Sequence, residues 1–410
     1  MGHITETKGG FRRGTALLAL LILLMPSAGC RKAARPASQL YDVEIKEEQP
    51  ADPDREYSAP QPSAEDSSEI KLDLRGTISL IDGTPVLLED DMLLYTKMNQ
   101  FWNDTGEHTD CEYFIYDCTS GTHRSAGVLS DVRISGGDYL YAPNGRIYFS
   151  WQMGTEEKKL SLYELDPERG EIRAVYESAS SLPFLFLSMF DEESILLFEP
   201  DQKSALEYAY RIKVYQITTE EVTLVLETAF SNETGEGEQI ISTYAYEGNI
   251  WLLLRKSDGE YELGCLCPAT GELSRVTLEG LRESMTVGGT EYGAWRIHMS
   301  SGVVWVETLA DKICCFRTEN GKPCEEALPG YSITSSFGRC SDGRQLVYKY
   351  GGTEFLLYLS GGEPRRTSEL NLPGKSGGIQ RAFFGNDGEV IVIVSKDDAG
   401  MFQVFLYRVE

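Results

Sequence analysis

The chain has 410 residues, and its 64 Asp and Glu residues outnumber its 38 Lys and Arg residues, giving a formal net charge of −26 at pH 7. Such an acidic chain lacks the basic face with which proteins neutralise phosphates, which excludes nucleic acid as an expected partner. Aromatic residues make up 10% of the chain and glycine contributes 40 residues, so rings for packing and glycines for tight turns are both plentiful.

Residues 1–29 have the pattern of an export signal. Three basic residues precede an apolar stretch, residues 16–25, that is too short to span a bilayer comfortably. The residues Pro-Ser-Ala-Gly then stand directly before Cys30, and this arrangement resembles the lipobox of bacterial lipoproteins. The resemblance implies that Cys30 becomes a lipid-modified N-terminus and anchors the protein outside the cytoplasm on the bacterial cell membrane. Ordinary secretion after cleavage and an uncleaved anchor remain open alternatives.

Residues 30–69 differ in composition from the rest of the chain. They are rich in Pro, Ser and acidic residues and contain almost no large apolar side chain after Ile45. Such a segment cannot bury enough surface to offset the conformational entropy lost on ordering. The composition predicts a disordered acidic tether between the membrane and residues 70–410.

Residues 70–410 repeat a pattern of strands and turns about every 49 residues, a period typical of a β-propeller blade. The first turn of each unit recurs at Asp90-Asp91, Asn144-Gly145, Asp191-Glu192, Gly248-Asn249, Ser301-Gly302, Asp342-Gly343 and Asp387-Gly388. A second turn recurs between the third and fourth strands, for example at Arg169-Gly170 and Asn320-Gly321. The pattern predicts an all-β, seven-bladed β-propeller. A β-sandwich is the alternative, but it has no long-range period.

The two ends of the repeat region are each incomplete. The last unit stops after the strand Phe402–Val409 with three strands, while an additional strand, Ile70–Ile81, precedes the first full unit. An open strand edge exposes unpaired backbone groups, which folded proteins avoid. We therefore expect the N-terminal strand to pair with the last strand, complete the last blade and close the ring.

Two segments resemble the repeat of TolB-like (WD-repeat-like) propellers. In Phe337–Thr367 an S-D-G turn precedes an apolar strand and the hairpin ends in G-G-x-P, and Tyr141–Tyr176 is similar in turn and hairpin. The resemblance implies a TolB-like propeller, and together with the lipobox resemblance at Cys30 it implies a bacterial lipoprotein that carries such a propeller. It implies little about function, since propellers support binding, scaffolding and catalysis.

The candidate ligand-binding residues lie in one long connection, residues 98–111, which we expect to be a loop on the ligand-binding face of the ring. They are Trp102, Asp104, Glu107, His108 and Asp110. A Trp in a polar loop is typical of a binding surface. The prediction is a monomeric, non-catalytic protein without a cofactor or metal that binds an envelope protein, peptide or glycan. The alternatives are a carbohydrate-active hydrolase or lyase that uses loop carboxylates, and a purely structural scaffold.

Local matches to enzyme motifs fail on their context. Gly374–Gly378 fits the G-x-S-x-G nucleophile motif, but a strand follows it where that motif needs a helix, and all four histidines lie upstream. No catalytic residue is therefore assigned.

Eight cysteines follow Cys30, and an even number in an exported chain suggests disulfides. Cys314 and Cys324 flank the Asn320-Gly321 hairpin and are the best candidate pair. The alternative is a zinc site, for which the candidate ligands are His108, Cys111, Cys118 and His123. The seven-residue gap places the two cysteines of that cluster on opposite faces of one strand, which disfavours zinc.

Overall fold

The computed structural model describes residues 72–409 except 82, 90, 104–105, 154–158, 181, 183–184, 283–284, 288–289, 301, 309–311, 325–327, 330, 335–344, 350, 353–354, 359–364, 367–371, 373–377, 386–389 and 398–399. The predicted signal peptide, the predicted tether and Cys30 lie outside the described residues. Within the described part of the chain, no helix is long and apolar enough to cross a membrane.

All the regular structure of the described residues is β-strand. In chain order the strands are β1 (Leu72–Ile81), β2 (Thr84–Glu89), β3 (Met92–Asn103), β4 (Gly106–Asp117), β5 (Thr122–Leu129), β6 (Val132–Tyr141), β7 (Ile147–Met153), β8 (Lys159–Asp166), β9 (Glu171–Ser178), β10 (Phe186–Asp191), β11 (Ser194–Gln202), β12 (Glu207–Gln216), β13 (Val222–Ser231), β14 (Gln239–Tyr246), β15 (Asn249–Arg255), β16 (Glu260–Cys267), β17 (Glu272–Arg282), β18 (Met285–Val287), β19 (Thr290–Tyr292), β20 (Ala294–Ser300), β21 (Val303–Thr308), β22 (Lys312–Arg317), β23 (Leu328–Pro329), β24 (Tyr331–Thr334), β25 (Gln345–Lys349), β26 (Phe355–Tyr358), β27 (Arg365–Arg366), β28 (Ile379–Phe384), β29 (Val390–Lys396) and β30 (Phe402–Val409).

Consecutive strands form six antiparallel four-stranded sheets, and these are the blades of a β-propeller. We number them in chain order: blade 1 is β2–β5, blade 2 is β6–β9, blade 3 is β10–β13, blade 4 is β14–β17, blade 5 is β20–β23 and blade 6 is β24–β27. The short hairpin β18–β19 lies between blades 4 and 5 in the chain. A further four-stranded sheet has the order β1-β30-β29-β28, and we call it the composite sheet.

The blade count corrects the prediction of seven blades. The chain folds six blades from consecutive strands, whereas the composite sheet is assembled from both ends of the described chain. The prediction counted the three strands of the last unit, completed by the N-terminal strand, as a seventh blade. The expected pairing of the terminal strands is present, with Leu72 opposite Val409 and Ile78 opposite Val404.

Hydrophobic clusters fill the spaces between neighbouring sheets. Tyr113 and Trp151 lie in the cluster between blades 1 and 2, where the Trp151 indole donates a 2.6 Å hydrogen bond to the Tyr113 hydroxyl. The composite sheet packs on blade 6 through one cluster and on blade 1 through another. Its strand β29 is buried from Ile391 to Ser395, as its continuous apolar sequence predicts. These contacts close the ring of sheets.

Turns at the outer rim join neighbouring blades. The turn between the third and fourth strands of one blade contacts the outer strand of the blade before it. The Arg124 guanidinium donates a 2.5 Å hydrogen bond to the Pro167 carbonyl, and Arg173 lies 2.7 Å from the Glu220 carboxylate. The Glu279 amide donates to the carbonyl of Gly321, whose backbone has a left-handed φ of +69°. The second series of turns predicted from the sequence therefore also stabilises the ring.

We expect the fold to lose stability in acid. The backbone amide of Ser120 lowers the pKa of Asp117 below 3.8, and hydrogen bonding from Arg173 lowers the pKa of Glu220 below 4.5. Because both folded-state pKa values lie below the unfolded values, the unfolded chain binds more protons as the pH falls. The stabilisation is complete above about pH 5 and is lost as the pH falls through the lowered pKa values. Urea midpoints between pH 7 and pH 3 measure the effect.

The variant Glu220→Gln is the control for this acid sensitivity. It lacks one of the titrating groups, so its midpoint should fall less steeply between pH 5 and pH 3 than that of the wild type. A wild-type midpoint that stays constant over this range would contradict the prediction.

Candidate functional site

A two-stranded arm projects from blade 1. The strands β3 and β4 each have 12 residues, but β2 pairs with β3 only as far as Thr96, and β5 pairs with β4 only from Cys111. Residues 97–103 of β3 therefore extend beyond β2, and residues 106–110 of β4 extend beyond β5; we call these two segments the β3–β4 arm. At a rise of about 3.4 Å per residue, the arm extends the hairpin by about 20 Å. The segment expected as a loop is thus a hairpin.

Alternation along the strands divides the arm into two faces. Leu93 and Tyr95 pack in the cluster against the composite sheet, so the odd-numbered residues of β3 follow them onto that face. Phe101 lies on this face, directly opposite His108 of β4. On the other face, Cys111 is buried in the cluster against blade 2.

His108 connects the arm to the segment between β5 and β6. Its Nδ1 atom lies 2.9 Å from Oδ1 of Asp131, and its ring stacks on Phe101 with the two centroids 5.7 Å apart. The Asp131 amide donates a 3.2 Å hydrogen bond to Oδ1 of Asp110. Asp131 has a left-handed φ of 56°, a conformation that short polar residues tolerate better than most. These contacts fix the arm against the ring.

The face of the arm around Phe101 combines the exposed phenyl ring of that residue with acidic side chains. Phe101 is 42% exposed, and the Asp131 side chain is 37% exposed. Further along the arm, the Asn99 amide donates a 2.7 Å hydrogen bond to the Glu112 carboxylate, which orients both side chains. An exposed ring beside carboxylates can contact apolar and cationic side chains of another molecule.

The predicted site residues are partly brought together. His108 and Asp110 both contact Asp131. Asp131 was not predicted as a site residue, because it lies 23 residues from His108 in the chain. Its only signal was a Ser-Asp turn between two strands. Trp102 and Glu107 occupy directly opposite positions near the end of the arm. Asp104 lies outside the described residues.

Two cysteines of the zinc alternative, Cys111 and Cys118, lie in largely buried surroundings. Burial raises the pKa of Cys111 to about 12 and that of Cys118 to about 11, so both stay protonated at neutral pH. Within the described ranges, no group of three or more His, Cys, Asp or Glu residues could hold a metal ion. Cys314 and Cys324, the candidate disulfide pair, are not bonded to each other in this structure, and neither is bonded to Cys315.

A concave region lies at the rim between blades 4 and 5. This open cavity of about 560 Å³ is lined by Glu260, residues 277–282 and Asn320. Hydrogen bonds from Lys256 and Arg282 lower the pKa of Glu260, so its carboxylate is ionised at neutral pH. An ionised carboxylate cannot donate the proton that cleavage of a glycosidic bond requires. Glu260 is therefore unsuited to the acid role in the carbohydrate-active alternative.

Comparison with known proteins finds similarity to solved structures only. No protein-family model matches the chain, and no curated protein matches it significantly. A chain of the mitotic checkpoint complex is 9% identical and has a TM-score of 0.48, with 89% of this chain and 99% of that chain covered.

Two prokaryotic proteins give similar values. BamB from Moraxella catarrhalis is 10% identical and has a TM-score of 0.45, with 82% of this chain and 100% of that chain covered. An acylaminoacyl peptidase from Pyrococcus horikoshii is 10% identical and has a TM-score of 0.49, with 80% of this chain and 52% of the peptidase covered. This chain thus spans about half the length of the peptidase. Similarities at this level carry no argument about function, and the propeller rests on its strand topology.

Proposed function

We propose that this protein is a non-catalytic lipoprotein, tethered outside the cytoplasm to the bacterial cell membrane, whose propeller binds a protein or peptide of the cell envelope. The observation that carries the proposal is the β3–β4 arm, with Phe101 42% exposed at its end and fixed by His108 and Asp131. Because the Phe101 side chain is already held in place before binding, less conformational entropy is lost on association. This suits an anchor residue in an interface.

The shape of the arm favours a protein or peptide over a glycan. Small-molecule and sugar sites are concave, whereas a projecting hairpin presents its side chains outward. Such an arm fits a groove on a partner. The carboxylates around Phe101 favour a partner with Lys or Arg beside an apolar pocket, and the net charge of −26 would accelerate the approach of a basic surface.

The tether and anchor rest on the sequence pattern. Cys30 follows small residues that themselves follow an apolar stretch, and residues 30–69 are polar and long enough to hold the ring away from the membrane. We also propose that the propeller belongs to the TolB-like type. Within Tyr141–Tyr176, the positive φ values of Gly145 and Gly170 place a tight turn at each of the two points where that repeat has one.

Site-specific crosslinking tests the binding surface. A photoreactive phenylalanine analogue at position 101 should crosslink in living cells to one or a few defined envelope proteins. The matched control places the same analogue at Leu224, which is 50% exposed on the outer strand of blade 3. Crosslinks at both positions to the same abundant proteins, or at neither position, would contradict the proposal.

Fatty-acid labelling tests the anchor. The wild-type protein should incorporate a labelled fatty acid and sediment with membranes, and Cys30→Ser should lose both properties. A protein that is cleaved before residue 30 and released into the medium would show that it is secreted instead.

A further inference from the structure

Blade 5 holds two cysteines in direct register. After β22 the chain turns back, and the Arg317 amide donates to the Lys322 carbonyl while the Cys324 amide donates to the Cys315 carbonyl, both at 2.9 Å. Phe316 and Pro323 form the bridge between these two bonds. The register therefore places Cys324 directly opposite Cys315, one residue away from the position expected from the sequence.

The faces of the strand separate the two candidate partners of Cys324. Cys315 is 4% exposed and packs with Trp305 and Val347 in the cluster between blades 5 and 6. Cys314 packs on the opposite side, against the cluster between blades 4 and 5. Residues directly opposite each other share a face of the sheet, so Cys324 shares the face of Cys315.

The spacing suits a covalent bond. A hydrogen-bonded antiparallel pair has its Cα atoms about 5.5 Å apart, and disulfides form at Cα separations of about 4.4–6.8 Å. Cys324 is exposed at the surface and accessible to an oxidant, whereas Cys315 is buried behind it.

We propose that Cys315 and Cys324 form a disulfide in the exported protein. The Cys324 thiolate attacks the disulfide of a thiol–disulfide oxidant, breaking that bond and releasing one reduced sulfur. The Cys315 thiolate then attacks the Cys324 sulfur of the mixed disulfide and releases the second. The two cysteines lose two protons and two electrons, and the oxidant is reduced to two thiols. The presence of the oxidant rests on the proposed export, but the geometry does not.

The proposed disulfide would stabilise the outer part of blade 5. The outer strand β23 has only 2 residues, whereas the outer strands of blades 1 to 4 have 8 to 11. A disulfide between β22 and the returning chain would secure an outer layer whose described residues form few ladder pairs with β22.

Peptide mapping without reduction tests the pairing. Trypsin cuts after Lys312, Arg317 and Arg339, which separates Cys315 from Cys324 and both from Cys340. After treatment of the purified protein with glutathione disulfide, we expect peptide 313–317 linked to peptide 318–339, at a mass lower by two hydrogens than the two free peptides. The linked species should be lost in Cys315→Ser and Cys324→Ser and retained in Cys314→Ser.

Three results would overturn the proposal. The first is a link that persists in Cys315→Ser but not in Cys314→Ser, the second is a link to Cys340, and the third is persistence of both thiols after oxidation. Cys324→Ser changes an exposed residue, so the test does not depend on the folding of the buried Cys315→Ser variant. If the bond forms with glutathione disulfide but the protein isolated from cells is reduced, the disulfide is not native. That result would contradict the proposed export and leave the register intact.

Discussion

Lys213→Met is expected to lower the free energy of unfolding by about 3–5 kcal/mol, because it would leave a buried carboxylate without its cation. Glu199 is fully buried, and its carboxylate lies 2.6 Å from the Lys213 ammonium. The Tyr176 hydroxyl, from the outer strand of blade 2, donates a 2.5 Å hydrogen bond to the same carboxylate. The Lys213 ammonium also lies 2.7 Å from that hydroxyl, so three groups connect blades 2 and 3.

Lys256→Met is the matched control for this prediction. Lys256 also lies beside carboxylates, with Glu260 3.2 Å away, but its side chain is 39% exposed, against 15% for Lys213. An exposed ion pair contributes at most about 1 kcal/mol, so Lys256→Met should shift the urea midpoint little. The double variant Lys213→Met with Glu199→Leu removes both buried charges and should recover part of the loss. Equal losses in the two single variants would contradict the prediction.

The sequence predicted the local structure of the ring more successfully than its contacts. The repeated Gly turns were placed correctly, because only residues that tolerate a left-handed φ fit there: Gly121, Gly170 and Gly271 have φ between +69° and +71°. The pairing of β1 with β30 was also foreseen, since an open edge needs a partner. The number of blades was not, because the last three strands, together with the N-terminal strand, were counted as a seventh blade.

The candidate site was predicted only in part, for a physical reason. The β3–β4 arm was expected as a loop because polar residues dominate it, yet cross-strand pairing extends through those residues. Asp131 was missed because its partnership with His108 depends on how β5 returns beside β4. The sequence analysis paired Cys324 with Cys314 and not with Cys315. The register of these two segments is set by the geometry of the turn between them, which the composition does not determine.

Gly321→Ala is expected to destabilise the protein far more than the same change at Gly271. Both glycines close the turn between the third and fourth strands of a blade, each amide donates a 2.8 Å bond four residues back, and φ is +69° at Gly321 and +71° at Gly271. Either alanine would therefore cost about 1–2 kcal/mol for the left-handed backbone alone.

Only Gly321 also lies against another blade. A Cβ atom there would be 1.9 Å from the Thr277 carbonyl oxygen, on the outer strand of blade 4, whereas a Cβ at Gly271 would have nothing within 4 Å. Since a backbone carbonyl in a paired strand cannot move aside cheaply, the contact should add about 1–3 kcal/mol. Urea midpoints measured under reducing conditions, to keep the nearby cysteines out of the comparison, should separate the two variants. Equal midpoints would mean that the rim turns do not hold neighbouring blades together, and that the hydrophobic clusters between the sheets alone stabilise the ring.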